Sequence, residues 1–393
     1  MINNNSPDSQ LSSPSSRLPC LPQFLVPHSS FLNPLPLSGL PLEELTALLS
    51  PLPHYRAVQV FKWIASGADS FDVMNNLPLQ LRKELSEQYA LRPDNTVREQ
   101  RGSDGTVKLA MQFPGDAVVE AVLLNDGSQR HTACLSTQAG CPAACVFCRT
   151  GAYFVRDLDS AEIVEQFLRL MAIAAQITPN ETADNSQLKQ RGLPISNIVV
   201  MGMGEPLLNL RELRRAIAVI SGKEGMHFSH RRFTVSTCGI ADGIADLADN
   251  GPAVRLALSL TTADENLRRR LMPITAREPL HRVKESLCHF QNCGGGRLTL
   301  EAVLLGGINT RDADAQSIAN FAKGLDVVVN LIPWNPVDGL GFEGKPLRQP
   351  SADEVESFSR RLNSLGMKVT LRYRKGRGIM GACGQLGNNL NSL

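Results

Sequence analysis

Between about Pro41 and Tyr89 the apolar positions recur three and four residues apart. LEELTALL, RAVQVFKWI and LRKELSEQY each make one helical stripe, with Gly67 and Pro78 as punctuation, and predict a small helical accessory domain over residues 40–92. Residues 97–124 alternate with period two instead. The alternation runs around the turn Ser103-Asp104-Gly105, with TVKLAMQF and AVVEAVLL as its apolar runs, and predicts a β-hairpin extension within residues 93–130. From residue 131 the rhythm becomes strand, then helix, repeated. The predicted strands are HTACLST, SNIVVMGM (196–203), RRFTVST (231–237), VRLALSL (254–260), LTLEAVLL (298–305) and DVVVNLIP (326–333). Such continuous Val/Ile/Leu runs suit parallel strands buried on both faces. Asp159 with Glu162, and Ser351 with Glu354, have the spacing of capping boxes. They open stripes built on Ile163, Val164, Phe167, Leu168 and Met171, and on Val355, Phe358, Leu362 and Leu365, the second ending at Gly366. The expected fold class is α/β, a partial (βα)6 barrel over residues 131–375 with its chemistry at the C-terminal strand ends.

Composition changes this picture at three places. Residues 1–39 are rich in Ser, Pro and Asn, with Asp8 and Arg17 as their only charges, and are expected to be a disordered tail. Residues 176–193 read as an exposed insertion loop. Lys and Arg number 40 against 38 Asp and Glu, so a net charge of +2 demands neither nucleic acid nor membrane, and a polyanion partner must be met by a local patch. With no apolar run of membrane-spanning length and no secretory signal pattern, the expected location is cytoplasmic, with no membrane partner.

Nine cysteines, an odd number without a signal peptide, disfavour a disulfide scaffold. Cys141, Cys145 and Cys148 fall in CPAACVFC just after the first barrel strand, where βα loops carry active sites. Three thiolates in one short loop suit three corners of a 4Fe–4S cluster, leaving one iron open. The competing reading is zinc, which wants a fourth Cys or His; the nearest upstream candidate, His131, lies on the preceding strand.

The CxxxCxxC spacing after a first barrel strand resembles the radical S-adenosylmethionine (SAM) superfamily. EQRGSDGTVKLAMQF, CLSTQAGCPAACVFC, VVMGMGEPLLNL, TVSTCGI, LALSL, LIPWNPV and GACGQL then follow in the order found in the RlmN/Cfr-type RNA methyltransferases, a match covering roughly residues 40–387. The resemblance implies one 4Fe–4S cluster on Cys141, Cys145 and Cys148, and two SAM molecules per turnover. It implies SAM contacts at Gly204, Glu205, Ser236, Ser259, Leu260, Thr261 and Asn335. Cys383 becomes the thiol that is first methylated and then carries the methylene to an adenine carbon. Cys134 becomes the thiol that releases the adduct by forming a disulfide with Cys383, and Glu120 the proton acceptor. Read singly, each has a plainer role: Gly204-Glu205 a turn, Ser236 a helix cap, Asn335 an Asx-turn, Cys134 a core thiol, Glu120 a solvent-facing strand position, Cys383 a surface thiol in a mobile Gly-rich segment (376–393).

After Glu356 there is no acidic residue, while Arg360, Arg361, Lys368, Arg372, Arg374, Lys375 and Arg377 give +7. This stripe is expected to meet RNA phosphates, with Arg268-Arg269-Arg270 as a second patch. The chain departs from the family at Thr261, where His is usual, and at Arg149 and Tyr153, where small or amide side chains are usual. The resemblance implies methylation of adenine, with C2 expected, in 23S rRNA and in tRNA. A flavodoxin or ferredoxin would serve as electron donor, and the enzyme would act as a monomer. The alternatives are C8 methylation of the drug-resistance type and a non-methylating iron–sulfur protein that binds RNA.

Overall fold

The computed structural model describes residues 34–125, 131–177, 193–372 and 376–387. The expected tail over 1–33, the loop over 178–192 and residues Arg374 and Lys375 lie outside them. Helices α1 (Leu42–Leu48), α2 (His54–Ala65) and α3 (Leu79–Gln88) form the accessory domain. In α2 the stripe Ala57, Val60, Phe61 and Ile64 is buried, as its spacing requires. The tail expectation is corrected at its end. Leu37–Gly39 forms a 3-10 turn with Leu37 fully buried, and Pro36 bridges to Ala90. A leucine in a Ser/Pro-rich stretch still finds an apolar seat when a helix stands beside it.

That helix is α4 (Ser160–Ile177), which also takes in the first two residues of the expected loop. Its first turn is capped from both sides: Glu162 N–H donates to Asp159 Oδ1 at 2.8 Å, and Asp159 N–H donates to Glu162 Oε2 at 3.0 Å. Ser160 Oγ donates to the Gly39 carbonyl at 2.9 Å. A Cβ on Gly39 would come within 2.5 Å of the Ala161 backbone nitrogen, so only glycine permits this docking. Arg92 adds an ion pair to Glu165 of α4.

Strands β1 (Thr96–Arg101), β2 (Val107–Phe113), β3 (Ala117–Asn125) and β4 (His131–Cys134) form an antiparallel meander. The expected hairpin therefore has a third strand, β1, which is polar and mostly exposed, as an edge strand can be. It is also continuous with the barrel through β3–β4 pairing. A short pair, β5 (Gln138–Gly140) and β6 (Phe154–Asp157), brackets the cysteine loop.

Parallel strands follow with their helices: β7 (Ile195–Val200), α5 (Leu210–Ser221), β8 (Phe233–Thr237), α6 (Ala241–Asn250), β9 (Arg255–Ser259), α7 (Glu265–Leu271), α8 (Leu280–Asn292), β10 (Leu298–Leu304), α9 (Asp312–Ala322), β11 (Val327–Pro333), the small hairpin β12 (Gly341–Phe342) and β13 (Lys345–Pro346), α10 (Ala352–Ser364) and β14 (Val369–Leu371). The sheet order is β1-β2-β3-β4-β7-β8-β9-β10-β11-β14, an open sheet of ten strands. All six expected barrel strands are present and parallel, and β14 adds a short seventh beside β11. No helix among the described residues is long and apolar enough to cross a membrane.

Candidate active site at the barrel mouth

The loop after β5 carries Cys141, Cys145 and Cys148. A second apolar cluster seats it, with Phe147, Leu267, Leu271, Met272 and Trp334 packed behind the three thiols. Backbone bonds fix its path: Cys141 N–H to the Tyr153 carbonyl (2.8 Å), Val146 N–H to Leu271 (3.0 Å) and Cys148 N–H to Cys145 (3.1 Å). Trp334 Nε1 donates to the Phe147 carbonyl at 2.8 Å. Burial raises all three thiols, Cys141 to about 12. Each thiol is therefore held as a neutral group until an electrophilic partner takes its proton's place.

Among the described residues, the only trio of His, Cys, Asp or Glu donors gathered within 4.8 Å is Asp249, His289 and Cys293, exposed on α6 and α8. The three loop thiols offer sulfur donors without a fourth Cys or His in their loop, a donor set that fits three corners of a 4Fe–4S cluster better than a closed zinc site. His131, at the far end of β4 from Cys134, is not beside the loop.

The C-terminal strand ends gather the residues expected at SAM. Gly204 has φ +108°, and a Cβ there would lie 2.7 Å from Gln138 Cβ, so the turn into Glu205 requires glycine. The Glu205 carboxylate accepts from Cys238 N–H (2.7 Å) and Leu207 N–H (3.1 Å), while burial raises its pKa. Ser236 and Ser259 share a hydroxyl–hydroxyl hydrogen bond at 3.1 Å, and Ser236 lies within β8 rather than capping a helix. Thr261 is buried at φ +59°, an unusual conformation for a β-branched residue, held by Thr261 N–H to Glu301 and Asn309 Nδ2 to the Thr261 carbonyl. Its hydroxyl and Asn335 Oδ1 are buried with no hydrogen-bond partner. These two atoms at the C-terminal strand ends have hydrogen-bonding capacity left for a polar ligand, and the lining fits SAM.

Cys383 is the exception to its composition. Its segment is not a mobile surface tail: Gly381, Ala382, Gln385, Leu386 and Gly387 are buried. On one side, Arg149 N–H donates to Gly384 (2.9 Å), Thr150 Oγ1 to Leu386 (2.8 Å), Asn335 Nδ2 to Cys383 (3.0 Å) and Gln385 Nε2 to Pro336 (3.1 Å). On the other, Gly376 N–H donates to Asp104 (2.7 Å), Lys108 Nζ approaches the Met380 carbonyl (3.5 Å), and Gly387 N–H donates to Glu120 Oε2 (2.6 Å). Cys134 and Cys383 are both free thiols. Burial pushes Cys134 up to about 12, and the neighbouring Cys383 adds to that while Arg372 opposes it.

Similarity to known proteins now bears on this geometry. Residues 135–317 match the Radical SAM superfamily, and residues 36–91 match the Ribosomal RNA large subunit methyltransferase N-terminal domain. A probable dual-specificity RNA methyltransferase RlmN of Treponema denticola is 44% identical over 353 residues, 90% of this chain and 95% of that protein. The chain belongs to the RlmN family of radical SAM RNA methyltransferases. A relative of the same name from Thermus thermophilus is 38% identical over 88% of this chain and 92% of its own length. Among solved structures, a radical SAM methyltransferase from Sphaerobacter thermophilus superposes with TM-score 0.81 at 35% identity, covering 90% of this chain and 99% of its own. As a radical SAM member, this RlmN-family enzyme is a SAM-dependent methyltransferase whose chemistry needs a 4Fe–4S cluster and SAM.

Several residues of this RlmN-family site lie otherwise than their plainer readings have them. Glu120 is buried, not solvent-facing, and pairs with Lys108 at 2.7 Å, each side chain 1% exposed. β2–β3 register sets Lys108 opposite Val122 and Ala110 opposite Glu120, so the two charges are diagonal neighbours on one face. Tyr153, noted only as a departure, supplies its carbonyl to the cysteine loop, and a Cβ on Gly387 would touch its phenol oxygen at 2.8 Å. Each arginine patch loses one member: Arg268 is 1% exposed while Arg269 and Arg270 stay exposed, and the charge of Arg372 acts inward on Cys383, Glu301 and Cys134. Of the expected stripe, Arg360 and Lys368 are exposed.

Proposed function

We propose that this enzyme methylates C2 of adenine in 23S rRNA and in tRNA, using Cys383 as the methyl carrier and two SAM molecules per turnover. The observation that carries the reading is the double anchoring of the Cys383 segment, to Arg149 beside the cysteine loop and to Glu120 on β3. Adenine C2 is not a nucleophile, so a methyl cannot reach it by simple displacement. A thiolate under the protein's control is the natural acceptor. When bound, the cluster and SAM supply a transferable methyl in one use and one-electron chemistry that removes a hydrogen atom in the other.

This chain's residues do the rest. Cys141, Cys145 and Cys148 hold the cluster, leaving one iron for SAM. Gly204 lets the backbone approach it closely, Glu205 accepts from its ammonium, and Ser236, Ser259, Leu260, Thr261 and Asn335 line its remaining polar edges. Cys383 sulfur gains the methyl and loses its proton; once that methyl has lost a hydrogen atom, its carbon bonds to C2. Glu120 takes the proton that C2 gives up, and the adduct's odd electron would return to the iron–sulfur centre, leaving a closed-shell S–CH2–C2 link. Cys134 sulfur attacks Cys383 sulfur: an S–S bond forms, the S–CH2 bond breaks, and the electron pair leaves on the methylene, which gains a proton to become methyl. A dithiol reductant then restores both thiols.

The dual-specificity names of the relatives favour two RNA substrates over the C8-methylating or non-methylating readings. A flavodoxin or ferredoxin is the proposed electron donor, and a cytoplasmic monomer the working form. Mass spectrometry of the C-terminal peptide tests the carrier: about +14 Da on Cys383, one CH2 unit, is expected. Digested rRNA and tRNA from a deletion strain should lack 2-methyladenosine, and Cys383→Ala should not restore it. RNA product from Cys383→Ala would overturn the assignment.

A further inference from the structure

Arg268 is the largest fully buried side chain among the described residues. Its hydrogen bonds go to neutral groups: Nη1 to the Leu260 carbonyl (3.2 Å) and Met272 sulfur (3.5 Å), Nη2 to the Cys238 carbonyl. Nε has no partner. The two carboxylates within electrostatic reach are engaged elsewhere. Glu265 Oε1 accepts from Leu280 N–H at 2.7 Å, and Glu205 accepts from Cys238 and Leu207.

A guanidinium sunk in the interior with no direct ion pair is costly, and such a group persists where a counter-charge is supplied close by. The cysteine loop is one layer away. α7 carries Arg268, and its Leu271 carbonyl, one turn on, accepts from Val146 N–H of the cysteine loop. Leu267, Leu271 and Met272, which flank Arg268, pack against the three loop cysteines, and the guanidinium acts electrostatically on the Cys238 sulfur and then on that of Cys145.

We propose that Arg268 is the fixed counter-charge of the iron–sulfur centre held by Cys141, Cys145 and Cys148, and a positioning residue for its reduction. This rests on the reading that those thiols hold a 4Fe–4S centre. Three thiolates make the assembly anionic, and electron uptake adds a negative charge. A fixed cation in a dry setting favours that reduced state, and the centre's net charge and surroundings set its potential. The carbonyls of Cys238 and Leu260 hold the guanidinium in place without neutralising it.

The test is an anaerobic redox titration, followed by electron paramagnetic resonance, of reconstituted full-length wild type, Arg268→Met and Arg268→Lys. Arg268→Met is expected to load iron and to shift the midpoint to more negative potential, with Arg268→Lys returning part of that shift. Should Arg268→Met fail to hold iron while Arg268→Lys holds it, charge is again what the site requires. Full loading of Arg268→Met at the wild-type potential would overturn the proposal. So would failure of both variants, which would leave only the carbonyl bonds as the role of Arg268. Wild type that holds zinc and no iron would instead sink the cluster reading beneath it.

Discussion

Lys108 and Glu120 offer a sharp energetic test, because both are sealed in a strand pair and meet at 2.7 Å. Replacing Lys108 by Met keeps length and apolar bulk but leaves the Glu120 carboxylate with Gly387 N–H as its remaining hydrogen-bond donor. Removing one member of a buried pair typically costs about 3–5 kcal/mol, since the other charge is left uncompensated. That is a large part of the roughly 5–15 kcal/mol that holds a native fold. Making Glu120 neutral as well, in Lys108→Met/Glu120→Gln, removes the orphan charge and keeps an acceptor for Gly387. The double variant should therefore recover at least about 2 kcal/mol of the loss, a coupling in the range found for residues in direct contact. Urea unfolding of the four proteins under anaerobic conditions measures the cycle. Limited proteolysis should show residues 376–387 cut first in the single variant, because Glu120 is one of their anchors. Lys108→Met within about 1 kcal/mol of wild type, or a double variant no better than the single, would refute the buried-pair argument.

Cys134→Ala should trap RNA covalently on Cys383, seen as a retarded protein band that ribonuclease collapses; normal turnover without adduct would remove Cys134 from the chemistry. Gly39→Ala should loosen the accessory domain from α4, giving earlier tryptic cleavage between residues 34 and 92 with the barrel intact, and unchanged cleavage would contradict the close approach at Ala161. The Arg348 guanidinium holds Glu354 to about 2, below its ordinary 4.5. A depressed carboxyl contributes stability that is complete above about pH 4.5 and lost as pH falls through 2. Glu354→Gln should flatten the pH dependence of stability across that window, and a slope equal to wild type would show that the Arg348 fork contributes nothing.

The sequence was most legible where one physical signal acted alone. The six apolar barrel runs became parallel strands, and Ser351 with Glu354 formed the capping box its spacing announces, Glu354 N–H to Ser351 Oγ at 3.2 Å. β1 lies inside the alternating stretch that begins at residue 97, though as an exposed edge strand it has no apolar face of its own; β14 was not legible, because a three-residue strand is too short for any period. Charged residues were the least legible. Lys108 sits in an alternating strand where solvent is the default, and only the covered second face of the meander buries it. Arg268 and Arg372 look like members of basic patches, since a one-dimensional run of charge cannot say which side chain turns inward. The Gly-rich composition around Cys383 misled in the same way, because backbone amides and carbonyls, which composition does not register, anchor that segment.

The tethers on residues 376–387 have a mechanical meaning. The ten-stranded sheet is open, with β1 at one edge and β14 at the other. The segment reaches from the turn before β2, through Gly376 and Asp104, across to the end of β11, through Cys383 and Asn335. It works as a drawstring across the mouth, with Cys383 as a bead on that string. Tied at both ends, the segment cannot follow one side of the open sheet without pulling on the other, so the position of the Cys383 sulfur is set by the width of the mouth.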